Sequence, residues 1–227
     1  MERSEQAVGL LREVHVLTLP RGLLGLVLAA LFTAVVADAN GVVVAKHTHA
    51  APDEIAAPVK ALLAPGATAR VGETSIDFWW VKSLDAKGKE WASVPEGSLV
   101  GAMRVSATFK DIRGRNVKPG TYLLRFAMQP QNGDHLGVSP FREFLLASPA
   151  AEDTNPAALG HDPAVELAAK TTGIEHPAVL SIDPPVAAEA PLTVTQNEAG
   201  HTAVVFEVPT AAGGLKFGLI LIGHIEA

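Results

Sequence analysis

The stretch that decides the fold is VKPGTYLLRFAMQPQNGDHLGVSPFREFLLASP, which runs from Val117 to Pro149. Its opening Lys118-Pro119-Gly120 is a turn signal, because Pro presets φ and Gly tolerates a positive φ. Thr121–Met128 then alternates between two faces, which predicts a strand. Gln129–Pro140 is rich in polar and turn residues, and Phe141–Ser148 is apolar again. The segment therefore predicts two strands joined by a long polar loop.

Direct antiparallel pairing of these two strands predicts a register. Opposite residues share a face, so the apolar positions of one strand should meet those of the other. The simplest register of this kind places Leu124 opposite Phe144 and Arg125 opposite Glu143. We then expect Arg125 and Glu143 to form a charge pair on the outer face of the sheet.

Further strands are predicted on both sides of this stretch. Ser98–Lys110 alternates with period two, and Ser75–Leu84 concentrates β-forming residues and two tryptophans. Three more strands are predicted near the C-terminus: Pro191–Thr195, His201–Val208 and Leu215–Glu226. Many short strands with Gly/Pro turns and no β-α-β alternation predict an all-β fold, an antiparallel β-sandwich of the immunoglobulin-like or prealbumin-like kind.

Helical signals are few. Asp53–Leu63 predicts one short helix, limited by Pro58. Ala164–Thr172 predicts a second, with Asp162 as its N-cap and Gly173 at its end. The fold class is therefore a β-sandwich with one or two short helices.

The segment Val105–Phe126 carries a resemblance to known proteins. Its layout of a strand, a short break and then Pro-Gly-Thr-Tyr at 119–122 resembles prealbumin-like and other immunoglobulin-like sandwich modules of secreted bacterial proteins. It also resembles a secreted bacterial domain family with the same P-G-T-Y strand. This resemblance implies a β-sandwich architecture and no particular chemistry.

The N-terminus has the features of a signal peptide. Arg21 precedes the uncharged apolar run Gly22–Val36, and Ala37-Asp38-Ala39 supplies the small residues that a signal peptidase accepts. We expect residues 1–39 to be removed, leaving a periplasmic or secreted protein that begins at about Asn40 and has no stable membrane span. The alternative is an uncleaved anchor, which would make the chain a tethered subunit of an envelope complex.

The expected mature chain divides into two parts. Residues 40–65 are interpreted as a flexible leader that contains the short helix, and residues 66–227 as a single sandwich domain. A chain of this length can bury a sizeable core without covalent cross-links.

Composition excludes several classes of function. The chain has no cysteine, which excludes disulfides, a thiol nucleophile and thiolate metal sites. The absence of cysteine and of N-x-[ST] acceptors favours a bacterial exported protein. The net charge is −6 and no basic patch is present, so we expect no nucleic-acid partner.

Candidate ligand-binding residues cluster in the loop Gln129–Pro140. A loop of this length between strands is uncommon unless it is functional or disordered. The predicted ligand contacts are Gln131, Asn132, Asp134 and His135, with Trp79 as an aromatic surface beside them. The alternatives are that Asn132–Asp134 is simple turn chemistry and that the aromatic residues 78–80 all lie in the core, which sandwich cores favour.

A divalent metal ion is the one cofactor that the sequence suggests. Asp134, His135 and His161 could bind it if the loops 129–140 and 160–162 converge. Otherwise Asp162 is a helix cap and His161 is solvated. His47-Thr48-His49 is a second pair, because residues at i and i+2 of an extended chain point to one side. The alternative is two histidines in a disordered leader.

The sequence thus predicts a non-catalytic binding or accessory protein, whose partner is a small molecule, a glycan or an envelope protein. The alternative is a divalent-metal-binding protein or a metal-dependent enzyme that uses the loops 129–140 and 160–162. No G-x-S-x-G, H-E-x-x-H, P-loop or G-x-G-x-x-G motif is present, so binding is favoured over catalysis.

Overall fold

A computed structural model describes residues 36–37, 41–130, 141–183 and 190–224, all within the compact unit Thr33–Ala227. The strands are β1 Val36–Ala37, β2 Val42–Lys46, β3 Leu63–Val71, β4 Thr74–Val81, β5 Leu99–Val105, β6 Phe109–Lys110, β7 Asn116–Val117, β8 Gly120–Met128, β9 Glu143–Pro149, β10 Ala178–Asp183, β11 Val194–Gln196, β12 Thr202–Thr210 and β13 Gly213–Ile222. The helices are α1 Ala57–Lys60 and α2 His161–Thr172, with one 3-10 turn at Trp91–Ser93.

Most strands form one antiparallel ladder. Its order is β1-β2-β3-β4-β5-β8-β9-β10-β13-β12-β11, and β6 and β7 form a separate small hairpin. β10 pairs with β9 through Ala178–Ser181 and with β13 through Ile182 and Asp183. The ladder curves enough for β11, at one end, to contact β2 near the other. The predicted all-β, antiparallel class and its two short helices are confirmed.

An aromatic cluster occupies the core where β4 contacts β12. Phe78 and Trp80 of β4 are stacked 5.4 Å apart, and Phe206 of β12 lies 5.2 and 4.9 Å from their ring centres. Phe217 of β13 meets the edges of Trp80 at 5.2 Å and Trp91 at 5.0 Å. The expectation that residues 78–80 all lie in the core is confirmed, since all three are buried.

β8 and β9 pair directly, but the predicted register is wrong. Leu124 lies opposite Ala147, Arg125 opposite Leu146 and Ala127 opposite Phe144. The reason is α2, which packs on the second face of these strands and buries Ala127 and Leu146 beneath it. Because both faces are buried, the alternation of apolar residues does not select one register.

Arg125 consequently lies inside the protein, and no charge pair with Glu143 forms. Its side chain is 0 % exposed. The guanidinium donates from Nε to Asp153 Oδ2 at 2.7 Å and from Nη2 to Oδ1 at 2.6 Å. Its remaining hydrogen bonds go to the carbonyl oxygens of Gly97, Asn155 and Ala157. The buried pair therefore ties β8 to the segment that leads into α2.

Two boundary predictions also differ from the structure. Residues 40–65 are not a flexible leader throughout, because β2 pairs along its length with β3. Short apolar strands of this kind, such as VVVAK, carry too little alternation to be recognised. α2 begins earlier than predicted: Gly160, with φ of 81°, is the N-cap and Asp162 lies in the first turn, while Gly173 ends the helix as expected.

Candidate metal centre

Three side chains that could bind a metal ion lie close together, two of them just after β2 and one in β4. His47 and His49 follow the end of β2, and Asp77 lies in the middle of β4. One potential ligand atom from each side chain lies within 4.8 Å of the other two. Two imidazoles and a carboxylate form a donor set that suits Zn²⁺ and other first-row transition-metal ions.

The path of the chain after β2 brings the two histidines together. The His47 amide donates to Gly66 O at 3.2 Å, which keeps this segment alongside the irregularity in β3. Side chains at i and i+2 of an extended segment point to the same side. The imidazole rings of His47 and His49 are accordingly stacked, with centroids 4.8 Å apart and planes inclined by 7°.

The tautomer of His47 follows from its hydrogen bond. Its Nε2 lies 3.0 Å from Phe78 O, and a carbonyl oxygen can accept but not donate. Nε2 therefore carries the proton, and in the neutral ring Nδ1 presents a lone pair. Nδ1 is buried and has no hydrogen-bond partner. Histidines that bind metals commonly donate the N–H of their other ring nitrogen to a carbonyl oxygen in this way.

Electrostatics also favour a neutral His47. Burial lowers the pKa of His47, and the neighbouring His49 lowers it further, while Asp77 and the Phe78 carbonyl act in the opposite direction. A ring that stays unprotonated at neutral pH can donate its lone pair to a metal ion without first losing a proton.

Asp77 is held in place by the strand beside it. Thr68 of β3 lies directly opposite Asp77, and its hydroxyl donates to Oδ1 at 2.5 Å. This bond orients the carboxylate, and Oδ1 is the oxygen that it engages. Hydrogen-bonded carboxylate ligands are typical of natural metal sites.

Trp79 supports the site from within the core. It is 2 % exposed, its ring centre lies 5.1 Å from that of His47, and its Nε1 donates to His49 O at 2.9 Å. Its indole is thus placed to fix the backbone that carries both histidines. Its faces are not open to a ligand arriving from solvent.

The ligand atoms of His47, His49 and Asp77 must move closer together to bind a metal ion. Zn–N bonds of about 2.0–2.1 Å place neighbouring donors of a tetrahedral site about 3.3 Å apart. Ligand atoms spread over 4.8 Å must therefore close by about an ångström or more. His49 is exposed and can make this movement, whereas His47 and Asp77 are anchored by their hydrogen bonds.

The residues predicted from the sequence lie elsewhere. Gln131, Asn132, Asp134 and His135 are outside the described residues. His161 is the first residue of α2, and its Nδ1 lies 3.1 Å from Glu96 Oε2. Among the described residues, His161 belongs to no group of three side chains that could hold a metal ion.

Asp77 is the member of this cluster that the sequence analysis did not select as a candidate metal ligand. Its position in a strand is typical of a solvated charged face, and nothing in the local pattern connects it to residues 47–49. The connection comes from the pairing of β2, β3 and β4, which places distant segments side by side. The i, i+2 histidine pair was the one usable signal.

No helix within the described ranges is long and apolar enough to span a membrane. Comparisons of the chain with protein families, with curated proteins and with solved structures give no match.

Proposed function

We propose that the protein is an exported, non-catalytic binding protein that holds a divalent transition-metal ion at His47, His49 and Asp77. The observation that carries this proposal is His47: its Nδ1 is buried with a lone pair and no hydrogen-bond partner, and its ring belongs to a cluster in which one ligand atom each of His47, His49 and Asp77 lies within 4.8 Å of the others. Imidazole donors favour Zn²⁺, Cu²⁺ or Ni²⁺ over Mg²⁺ and Ca²⁺.

The position of the site fits capture or transfer of an ion. His49 is exposed while His47 and Asp77 are half-buried, so the ion would enter from solvent on the His49 side. Three protein donors leave at least one coordination position for water or for a donor from a partner. Such a site can pass its ion to another protein of the cell envelope.

We expect the mature protein to bind one Zn²⁺ ion, and His47→Ala and Asp77→Asn each to weaken this binding by more than about 100-fold. Thr68→Val should weaken it by about 10–100-fold, because it removes the hydrogen bond that orients Asp77. Isothermal titration calorimetry with Zn²⁺ and Cu²⁺ measures both the affinity and the stoichiometry.

His176→Ala is the matched control, because His176 is an exposed histidine outside the cluster. Unchanged Zn²⁺ affinity in His47→Ala would contradict the proposal. Loss of the ion in His161→Ala, with His47→Ala unaffected, would favour the alternative site formed by His161 with Asp134 and His135.

Export is tested separately. We expect the exported protein to begin at about Asn40, which mass spectrometry of its N-terminus would establish. This cleavage removes β1 but retains β2 and all three metal ligands. Recovery of intact Met1–Ala227 chains from the membrane fraction would instead favour the tethered alternative.

A further inference from the structure

A second candidate site lies beneath α2, away from the metal cluster. It is a cavity of about 270 Å³. Phe144 of β9 with Val179 and Ser181 of β10 forms its floor. Val165 of α2 and Arg113, in the turn between β6 and β7, also line it.

The floor continues the interface between α2 and the sheet. Ser181 lies opposite Phe144, and Val179 lies opposite Leu146, so all four residues share one face. α2 covers Leu146 completely, whereas Phe144 and Val179 remain partly exposed. The cavity is therefore a part of an apolar interface that the helix does not fill, and it fits an apolar molecule.

Arg113 is the half-buried charged group of the lining whose side chain lacks a partner within the described part of the chain. Its guanidinium is half-buried and has no hydrogen bond or ion pair among the described residues. Burial lowers the pKa of Arg113, followed by the charge of Arg115, while Asp111 raises it. Asp111 is engaged by the backbone amides of residues 113, 115 and 179, and Arg115 donates to Pro177 O. Asp111 therefore forms no ion pair with Arg113, and Arg115 carries the same charge as Arg113.

The other charged groups of the lining either have a partner or are exposed to solvent. Glu143 Oε2 accepts a hydrogen bond from the Arg142 amide at 3.1 Å. Glu175 is exposed, so water solvates its carboxylate. His161 faces Glu96, which lies 3.1 Å from its Nδ1. Arg113 is therefore the charged group of the lining that has lost hydration without gaining a partner among the described residues. A negatively charged group of a ligand would replace that hydration.

We propose that this cavity binds a small apolar carboxylic acid, with its alkyl or aromatic body against Phe144, Val165 and Val179 and its carboxylate at Arg113. Ligand sites of this kind combine an apolar lining with a few polar groups that fix orientation. A cavity of about 150 Å³ already holds benzene, so one of about 270 Å³ has room for a medium-chain acid.

Octanoate, octanamide and octylamine form a matched set of probes, since they share the apolar body and differ in the head group. In calorimetric titrations of the mature protein we expect octanoate to bind at least about tenfold more tightly than octanamide, since hydrogen bonds to charged groups are the stronger ones. Arg113→Gln should remove this preference. Arg70→Gln, at an exposed arginine of β3, should leave it unchanged.

Val165→Phe tests whether the apolar part of the ligand occupies the cavity. It should fill the cavity and weaken octanoate and octanamide alike, with circular dichroism confirming that the variant folds. Absence of octanoate binding, or equal binding by Arg113→Gln, would overturn the proposal. Octylamine binding as tightly as octanoate would also overturn it, because the glutamates would then select the head group. His47→Ala should retain octanoate binding, so the test of this cavity is independent of the test of the metal site.

Discussion

Replacing Asp153 by alanine is expected to lower the free energy of unfolding by about 3–5 kcal/mol, because it leaves the Arg125 guanidinium buried without its counter-ion. Arg125 and Asp153 side chains are both fully buried, and Asp153 also accepts a hydrogen bond from the Ser148 hydroxyl. Among the described residues, no other carboxylate forms an ion pair with Arg125. Denaturant unfolding, followed by circular dichroism, measures the change.

Glu152→Ala is the matched control for this experiment. Glu152 is the neighbouring residue and forms an ion pair with Lys170, but both side chains are about half exposed. Removing an exposed pair costs about 0–1 kcal/mol. Equal destabilisation by Glu152→Ala and Asp153→Ala would show that the burial of the Arg125–Asp153 pair does not matter.

Replacing Phe217 by alanine is expected to cost about 3–5 kcal/mol, since it opens a cavity in the aromatic cluster. Phe217 is 0 % exposed and its ring contacts those of Trp80, Trp91 and Phe206. The rings around it belong to different strands and a 3-10 turn, so they cannot all move into the space. Thermal or denaturant unfolding gives the loss, and tryptophan fluorescence reports the change around Trp80 and Trp91.

Ile174→Ala serves as the control for loss of apolar volume at the surface. Ile174 is 54 % exposed, and its truncation should change stability by no more than about 0.5 kcal/mol. Phe217→Leu should fall between the two variants, because it retains most of the apolar contact. A cost below about 1 kcal/mol for Phe217→Ala would mean that the cluster is loosely packed.

Much of the fold could be predicted from the sequence, because strand alternation is a local signal. Ser98–Lys110 was expected to form a strand, and β5 and β6 lie within it. The register of β8 against β9 could not be predicted in the same way. It depends on α2, whose cover over Leu146 makes both faces of these strands apolar.

Less of the candidate metal site than of the fold could be predicted from the sequence. The spacing of His47 and His49 indicated that their side chains share a side, and their rings are stacked in the structure. Asp77 lies on β4, which is separated from β2 by β3, and only the pairing of these strands brings it near the two histidines. The buried Nδ1 of His47 depends on a hydrogen bond to Phe78 O, which no local pattern indicates.

The aromatic cluster has a consequence for the order in which the chain folds. Trp91 Nε1 donates to Lys216 O across 125 residues of sequence, and Trp80 packs on Phe206 and Phe217. Contacts between such distant segments slow folding, because loop closure precedes the gain from packing. The core therefore cannot be completed until β12 and β13 have been synthesised. Under the export proposed above, this delay would lengthen the time in which the polypeptide stays unfolded and can be translocated.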